Sequence, residues 1–168
     1  MKNEFTYFPH EKLFHVHLDY GCTVVDQDGF DVASSYSGTW CSERGKYAIL
    51  TDRWKTVRLH RAIMNAPVFY LVDHINGDGL DNRKFNLRLA TESQNLAKSK
   101  LLSTNTSGYR GVYFNSGVKK WHAQIKFEGK RINLGLHTNK EDAALAYNEA
   151  ARKYFKEFAF QNVIKQNK

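Results

Sequence analysis

The sequence has little cysteine and no long apolar segment. Cys22 and Cys41 are its only cysteines and do not form a C-x-x-C pair, so neither a zinc knuckle nor a disulfide scaffold is indicated. No apolar run is long enough to span a membrane, and the opening MKNEFTYFPH lacks the apolar core of a signal peptide. These features predict a protein of a reducing, intracellular compartment without a membrane partner.

Internal repeats and low-complexity runs are also missing, whereas residues that build a core are plentiful. The chain has 168 residues, of which 42% are hydrophobic and 14% are aromatic. This composition excludes a disordered tail and fits one domain or two small ones.

The positive charge is concentrated in the last third of the chain. Residues 1–72 have no net charge, whereas residues 107–168 hold 12 Lys and Arg against 5 Asp and Glu, a net +7. A localised basic region favours a polyanionic partner, most often nucleic acid. Charge alone fits a solvated lysine-rich surface equally well.

The same basic third predicts three antiparallel strands followed by a helix. Turn residues at 115–117 and 128–130 separate the strands. Apolar and polar residues alternate along the middle strand, which gives one buried and one polar face. Thr138 and Glu141 form a capping-box pattern that predicts the helix start, and its alanines allow close packing on the sheet. The polar sheet face then remains open to a ligand.

Residues 107–161 resemble the Apetala/ethylene-response-factor type of DNA-binding domain. The resemblance rests on Tyr109-Arg110-Gly111-Val112, Trp121–Ile125, Leu134-Gly135 and the alanine-rich helix. It implies a sheet that enters the major groove of double-stranded DNA. The residues implied to face the groove are Arg110, Trp121, Gln124, Lys126, Arg131 and Asn133. The alternative is a small α+β module that binds protein.

The stretch LVDHINGDGLDNRKFNLRLATESQN, residues 71–95, predicts a strand, a turn-rich loop, a second strand and a helix. The first strand covers VFYLVDHI and ends near His74, and Thr91 with Gln94 forms a capping box for the helix. Such a unit brings the end of the first strand close to the helix start. Asp73 and Asn95 could then bind one hard cation through oxygen.

This arrangement is similar to the phage-type HNH homing endonucleases, which have a ββα-metal core. The motif is Asp73-His74, Asn86 and then Asn95 where the motif name expects histidine. The resemblance implies that His74 is the general base and that Asp73 and Asn95 hold one Mg²⁺ or Mn²⁺ per site. It also implies that Asn86 braces the loop and orients His74 by a side-chain hydrogen bond.

Several other side chains have two interpretations. Arg83 and Arg88 either contact DNA phosphates or are solvated charges. His60 is interpreted as a packed structural histidine, and His15 and His17 as surface or structural residues.

The predicted fold class is α+β, with a small N-terminal β region and a ββα-metal core, then a three-stranded antiparallel sheet packed on one helix. The predicted domains are a nuclease domain at 1–100 (core about 59–100), a linker at 101–107 and a DNA-binding domain at 108–168. The predicted function is site-specific, metal-dependent cleavage of double-stranded DNA, without a small-molecule substrate, by a monomer or weak dimer in a prokaryotic or phage-infected cell. The alternative is a DNA-binding regulator with an inactive nuclease core.

Overall fold

The computed structural model describes residues 1–52, 55–98, 101 and 105–164. The chain forms two compact units, Met1–Thr91 and Glu92–Lys168. The boundary between the units precedes the predicted linker, and residues 102–104 of that linker lie outside the described residues. Among the described residues, no helix is long and apolar enough to cross a bilayer.

The described residues of the first unit form three small antiparallel sheets. The first sheet has the order β1-β2-β3, with strands Phe5–Phe8, Leu13–His17 and Cys22–Val25. The second has the order β4-β5-β6, with strands Cys41–Glu43, Tyr47–Asp52 and Lys55–Arg58. The third is a hairpin of β7 (Leu71–His74) and β8 (Leu87–Ala90).

Two helices cover these sheets and close the core of the first unit. Helix α1 is Gln27–Ser34 and helix α2 is Leu59–Ile63. The core combines apolar residues from β2, β3, α1 and β5 with Trp40, which is fully buried and donates its ring N–H to the carbonyl of Ala33. Asp26 caps α1 by accepting from the N–H of Gly29 through Oδ1, while its Oδ2 accepts from the N–H of Lys84. This carboxylate therefore ties α1 to the loop of the hairpin.

The hairpin begins later than its apolar run predicts. Strand β7 ends at His74 as predicted, but it starts at Leu71, because the four preceding residues turn with a Tyr70 N–H to Pro67 carbonyl bond. Proline fixes its own backbone angle and favours a turn there. Between the strands lies a loop that ends in a short 3₁₀ turn at Lys84–Asn86.

The second unit contains helix α3 (Glu92–Lys98) and the predicted sheet with its helix. The sheet has the order β11-β10-β9, with strands Val112–Asn115, Lys120–Phe127 and Lys130–His137. Helix α4 is Lys140–Phe155, followed by a 3₁₀ turn at Lys156–Phe158. The capping-box prediction was displaced by one residue: Asn139, not Thr138, caps α4 by accepting from the N–H of Asp142.

Close packing between α4 and the sheet depends on small residues. Ala143, Ala144 and Ala151 are fully buried, as the alanine-rich pattern predicts. Gly111 has a positive φ of 71°, and a Cβ there would lie 2.2 Å from Cδ2 of Tyr147. Only glycine allows both the backbone conformation and this approach.

Candidate active site

The end of strand β7 places two adjacent polar side chains in buried positions. Asp73 is 8% exposed and His74 is 6% exposed. Across the hairpin, Asp73 pairs with Arg88 and His74 pairs with Leu87. Nε and Nη2 of Arg88 lie 2.9 and 2.8 Å from the same oxygen, Oδ2, of Asp73. A guanidinium therefore compensates the buried carboxylate.

The imidazole of His74 is held from one side by an amide. Nε2 of His74 lies 3.2 Å from Oδ1 of Asn82, which is fully buried. Nδ2 of Asn82 in turn donates to the hydroxyl of Thr23 on β3 at 2.8 Å. The hydrogen bond to the ring therefore comes from Asn82 and not from Asn86, the residue expected to provide it.

Asn86 instead organises the loop. Its Oδ1 accepts from the N–H of Asn76, and its Nδ2 donates to the side chain of Asn76 and to the carbonyl of Asp81. Asn86 is 3% exposed, so these bonds are shielded from water. These bonds hold the turn between the two strands, and the catalytic part of Asn86 stays a prediction.

Two aromatic side chains pack around His74. The ring of His60 lies edge-on to it with centroids 5.2 Å apart, and Tyr47 lies 6.1 Å away. Burial, assisted by the nearby His74, Arg58 and Arg61, lowers the pKa of His60 to about 3. His60 is therefore neutral at physiological pH, and its buried Nδ1 has no hydrogen-bond partner in the described part of the chain. This placement agrees with the interpretation of His60 as a packed histidine.

Arg83 and Arg88 each form an ion pair with a carboxylate of the same unit. Arg83 holds Asp81 through two bonds of 2.7 and 2.6 Å, and this contact keeps the pKa of the Asp81 carboxyl below its usual value. Arg88 holds Asp73 as described above. Each guanidinium is thus engaged by a carboxylate within the unit, and its contact with phosphate stays a prediction.

The chemistry of the donors present suits a hard cation. Asp73 supplies a carboxylate whose Oδ2 is held by Arg88. Mg²⁺ prefers such oxygen ligands and retains water in the remaining positions. Asn95, the predicted second ligand, is an exposed residue of α3 in the other unit, so its part stays a prediction. Residues 1–52, 55–98, 101 and 105–164 contain no cluster of three or more His, Cys, Asp or Glu that could bind a metal.

The second unit presents a polar face on the side of the sheet away from α4. The register aligns Gln124 with Asn133 and Lys126 with Arg131 on β10 and β11. His122 joins the adjacent strands, because Nδ1 contacts the hydroxyl of Tyr113 and Nε2 lies 2.7 Å from Oδ1 of Asn133. The cross-strand pairs Gln124–Asn133 and Lys126–Arg131 therefore share one face, and their contact with DNA stays a prediction.

Two residues expected on that face lie elsewhere. Trp121 packs against the core beneath the sheet, because its position alternates with His122 along β10. Arg110 donates through Nη1 to the carbonyls of Leu96 and Ala97 at the end of α3, and its guanidinium stacks on Phe160. Both side chains are half-buried and pack within the second unit, and their groove-facing role stays a prediction.

Comparisons with known proteins match the part of the chain that contains the hairpin. A family model described as HNH endonuclease matches residues 66–97. An uncharacterized HNH endonuclease of Acanthamoeba polyphaga mimivirus is 32% identical over 146 residues, covering 83% of this chain and 74% of that protein. Protein 3.8 of Escherichia phage T7 is 33% identical over 86 residues, covering 48% of this chain and 71% of that protein.

The chain belongs to the HNH endonuclease family, and this membership supports a nuclease function with DNA as substrate. A shorter similarity concerns the second unit: an ethylene-responsive transcription factor-like protein of Arabidopsis thaliana is 48% identical over 42 residues, which are 25% of this chain and 18% of that protein. No solved structure gives a significant match.

Two residues at this site were missed in the sequence. Asn82 lies in a segment that reads as turn-forming, so its amide attracted no separate interpretation. The sequence does contain one signal for Asn82. Asn82 lies in the loop between two predicted strands, from which a polar side chain can reach the end of the first strand. Thr23 is 59 residues away from Asn82 and no local pattern links them.

Proposed function

We propose that the chain is a site-specific, metal-dependent DNA endonuclease of the homing type, with His74 as general base. The observation that supports this most directly is the hydrogen bond of Asn82 to Nε2 of the buried His74, next to the Asp73 carboxylate. Imidazole is a side chain that can accept a proton near neutral pH.

In the proposed reaction, His74 takes a proton from water as the water oxygen attacks the scissile phosphorus. The bond between phosphorus and the 3′ oxygen breaks, and the 5′ phosphate remains on the other product. Asp73 would hold one Mg²⁺ or Mn²⁺, with Asn95 proposed from sequence as a second oxygen ligand. When bound, the cation supplies positive charge near the phosphate and the leaving oxygen. Asn86 keeps the loop in place around these groups.

The second unit is proposed to read the DNA sequence with the polar face of β9, β10 and β11. The basic excess of residues 107–168 and the exposed, cross-strand pair Lys126 and Arg131 support this role. Contacts from such side chains to phosphate give affinity, and contacts to base edges give specificity.

A DNA-binding regulator remains the second candidate function, and one contact favours it. Arg88 already compensates the charge of Asp73, so the carboxylate is stable without a cation. A scaffold that no longer cuts DNA would keep such a pair. The two candidates differ in whether DNA is hydrolysed.

The deciding experiment incubates the full chain with Mg²⁺ and the DNA that flanks its own gene. We expect a nick or break in the wild type, and His74→Ala is expected to slow cleavage by about 10²–10⁴-fold while binding is retained. His10→Ala, at an exposed histidine before β2, is the matched control. Cleavage by His74→Ala at the wild-type rate would refute the general base. Binding without cleavage by the wild type would favour the regulator.

A further inference from the structure

The turn before strand β7 projects two apolar side chains into solvent. The N–H of Tyr70 donates to the carbonyl of Pro67 at 3.1 Å, so Val68 and Phe69 are the two central residues of a tight turn. Val68 is 88% exposed and Phe69 is 92% exposed. Both side chains are therefore almost fully hydrated, although apolar side chains of this size gain free energy when they leave water. We call residues 67–70 the apolar tip.

A single arginine holds the backbone of the apolar tip in one conformation. Arg61 of α2 donates through Nη1 to the carbonyl of Tyr70 at 2.7 Å. Its Nη2 donates to the carbonyls of Ala66 and Pro67 at 3.2 and 3.0 Å. The N–H of Ala66 donates back to the carbonyl of Arg61 at 3.0 Å. A turn that is ordered before it binds a partner loses less conformational entropy on binding.

The base of the apolar tip carries a positive charge and no negative one. The three acceptors of Arg61 are backbone carbonyls, and no carboxylate in the described part of the chain forms an ion pair with its guanidinium. Residues 59–72 contain no Asp or Glu. Duplex DNA is complementary to such a tip, because its phosphates lie outside and its stacked bases lie inside.

The size of the apolar tip favours DNA over a protein or a membrane. One aromatic side chain buries about 150–250 Å², whereas a stable protein interface needs about 800 Å² on each partner. A single lipid chain gives only marginal binding to a membrane, and Phe69 is smaller than such a chain. An apolar side chain inserted into DNA acts instead at one step between base pairs, which it unstacks and kinks by about 20–90°.

The apolar tip also lies near the proposed site of cleavage. His74 follows Phe69 by five residues within the same unit, so their Cα atoms are at most about 18 Å apart. This distance corresponds to about five base-pair steps of roughly 3.4 Å each. A duplex bound at the end of β7 therefore reaches the apolar tip within about half a helical turn.

We infer that the apolar tip is a wedge that inserts Phe69 between two adjacent base pairs of duplex DNA, within about five base pairs of the cleaved bond. Pyrimidine–purine steps unstack most easily and are the expected point of entry. The inference rests on the proposed function for the position of the wedge along the DNA, whereas the insertion itself is observed without cleavage.

The test uses the full chain, a closed-circular plasmid and a type I topoisomerase that is active in a metal chelator. Insertion of a side chain between base pairs unwinds the duplex. Relaxation of the plasmid with the protein bound records this unwinding as a change in linking number after the protein is removed. The chelator prevents metal-dependent cleavage during the assay. We expect the wild type to shift the topoisomers, Phe69→Ala to lose most of the shift and Phe69→Leu to retain it, because leucine also acts as a wedge.

Two further variants separate the wedge from general stickiness and charge. Tyr20→Ala is the matched control, since Tyr20 is an aromatic residue between β2 and β3 that is 81% exposed. It should shift the topoisomers as the wild type does. Arg61→Lys keeps the charge but lacks the planar fork that holds three carbonyls. It should bind the plasmid like the wild type but unwind it less, whereas Phe69→Ala should bind about five- to tenfold more weakly.

Several results would overturn the inference. They are an unchanged linking number with the wild type, or the same shift with Phe69→Ala as with the wild type. Binding to vesicles of phosphatidylcholine and phosphatidylserine that depends on Phe69, without a topoisomer shift, would assign the tip to a lipid surface. Self-association that depends on Phe69, again without a shift, would assign it to a second copy of the chain. Failure of the proposed function looks different: DNA would stay uncut with Mg²⁺, while the topoisomer shift would still depend on Phe69.

Discussion

His122 and Asn133 are joined across β10 and β11 by a hydrogen bond of 2.7 Å between Nε2 and Oδ1. The same Oδ1 also accepts the backbone N–H of Gly135 at 2.9 Å, which fixes the orientation of the amide. With this oxygen shared by two donors, Asn133 offers its N–H₂ group to a ligand.

The fixed amide leads to a prediction about base preference. Asparagine reads adenine by using its oxygen and its nitrogen together, whereas guanine N7 and O6 or thymine O4 require only a donor. We therefore expect Asn133 to favour guanine or thymine at the position it contacts. Selection of bound duplexes from a random pool measures this, and Asn133→Asp should change the preference at one position.

The control for that selection is Asn115→Asp, at the last residue of β9. Its side-chain oxygen accepts from the N–H of Gly117, a role that aspartate keeps. A selected adenine that depends on Asn133 would contradict the prediction.

Lys126 and Arg131 lie opposite each other on the exposed sheet face. Removing one phosphate contact should weaken binding to all sequences alike and lower the salt dependence by about one unit of slope. We expect this for Lys126→Ala in binding titrations at several salt concentrations. Lys153→Ala, at an exposed lysine of α4, should have little effect. Equal effects of the two lysines would show that general charge, and not this face, attracts DNA.

His60 should make the protein sensitive to acid. Its pKa is about 3 in the folded state because the ring is buried, against 6.5 for an ordinary histidine. Between these values the unfolded chain binds a proton that the folded chain does not. Stability is therefore complete above pH 6.5 and falls as the pH decreases, by about 1.4 kcal/mol per pH unit from this group.

Denaturant unfolding between pH 7 and pH 4 measures this dependence. His60→Phe should have a shallower decrease than wild type, since the ring shape is kept and the titration is lost. His10→Gln, at an exposed histidine, should follow the wild type. Parallel curves for His60→Phe and wild type would show that His60 does not cause the dependence.

The Asp73–Arg88 pair allows metal binding to be tested by stability alone. Arg88→Met leaves a buried carboxylate without its guanidinium and should cost about 3 kcal/mol. If Asp73 binds a cation, Mn²⁺ at about 100 times its Kd should restore up to about 2.7 kcal/mol in thermal unfolding.

The stabilisation by Mn²⁺ should disappear in the double variant that combines Arg88→Met with Asp73→Asn. The exposed ion pair of Arg58 and Glu43 is the matched control. Arg58→Met should lower the free energy of unfolding by at most about 1 kcal/mol and should not respond to Mn²⁺. An equal response to Mn²⁺ with and without the Asp73 carboxylate would show that this carboxylate is not a ligand.

Local patterns in the sequence predicted the second unit well. Alternation and turn residues located β9, β10 and β11, since the side-chain period of a strand is visible in a short stretch. The helix cap was misplaced by one residue, because Asn139 and Thr138 are both good caps and only the chain path decides between them. The same alternation accounts for the packing of Trp121 against the core.

Longer-range features could not be predicted. The hairpin and the burial of His74 follow from the apolar run, but the partners of the polar groups depend on tertiary structure. Arg88 finds Asp73 across the hairpin, and Thr23 reaches Asn82 from a different sheet. A charged side chain that a sequence predicts to be solvated or bound to phosphate can therefore form an ion pair within the protein, as Arg88 does.

Strand β3 also limits how far the nuclease can be rearranged by recombination. Val24 of β3 lies outside residues 66–97, the range of the family match. It forms a parallel bridge with Asp81, which lies inside that range. A transplanted segment of that length would lose both the bridge and the hydroxyl of Thr23. In this protein the segment that must be transferred as one piece therefore extends back at least to β3. Exchanges that separate β3 from the hairpin should give chains that fold poorly or cut slowly.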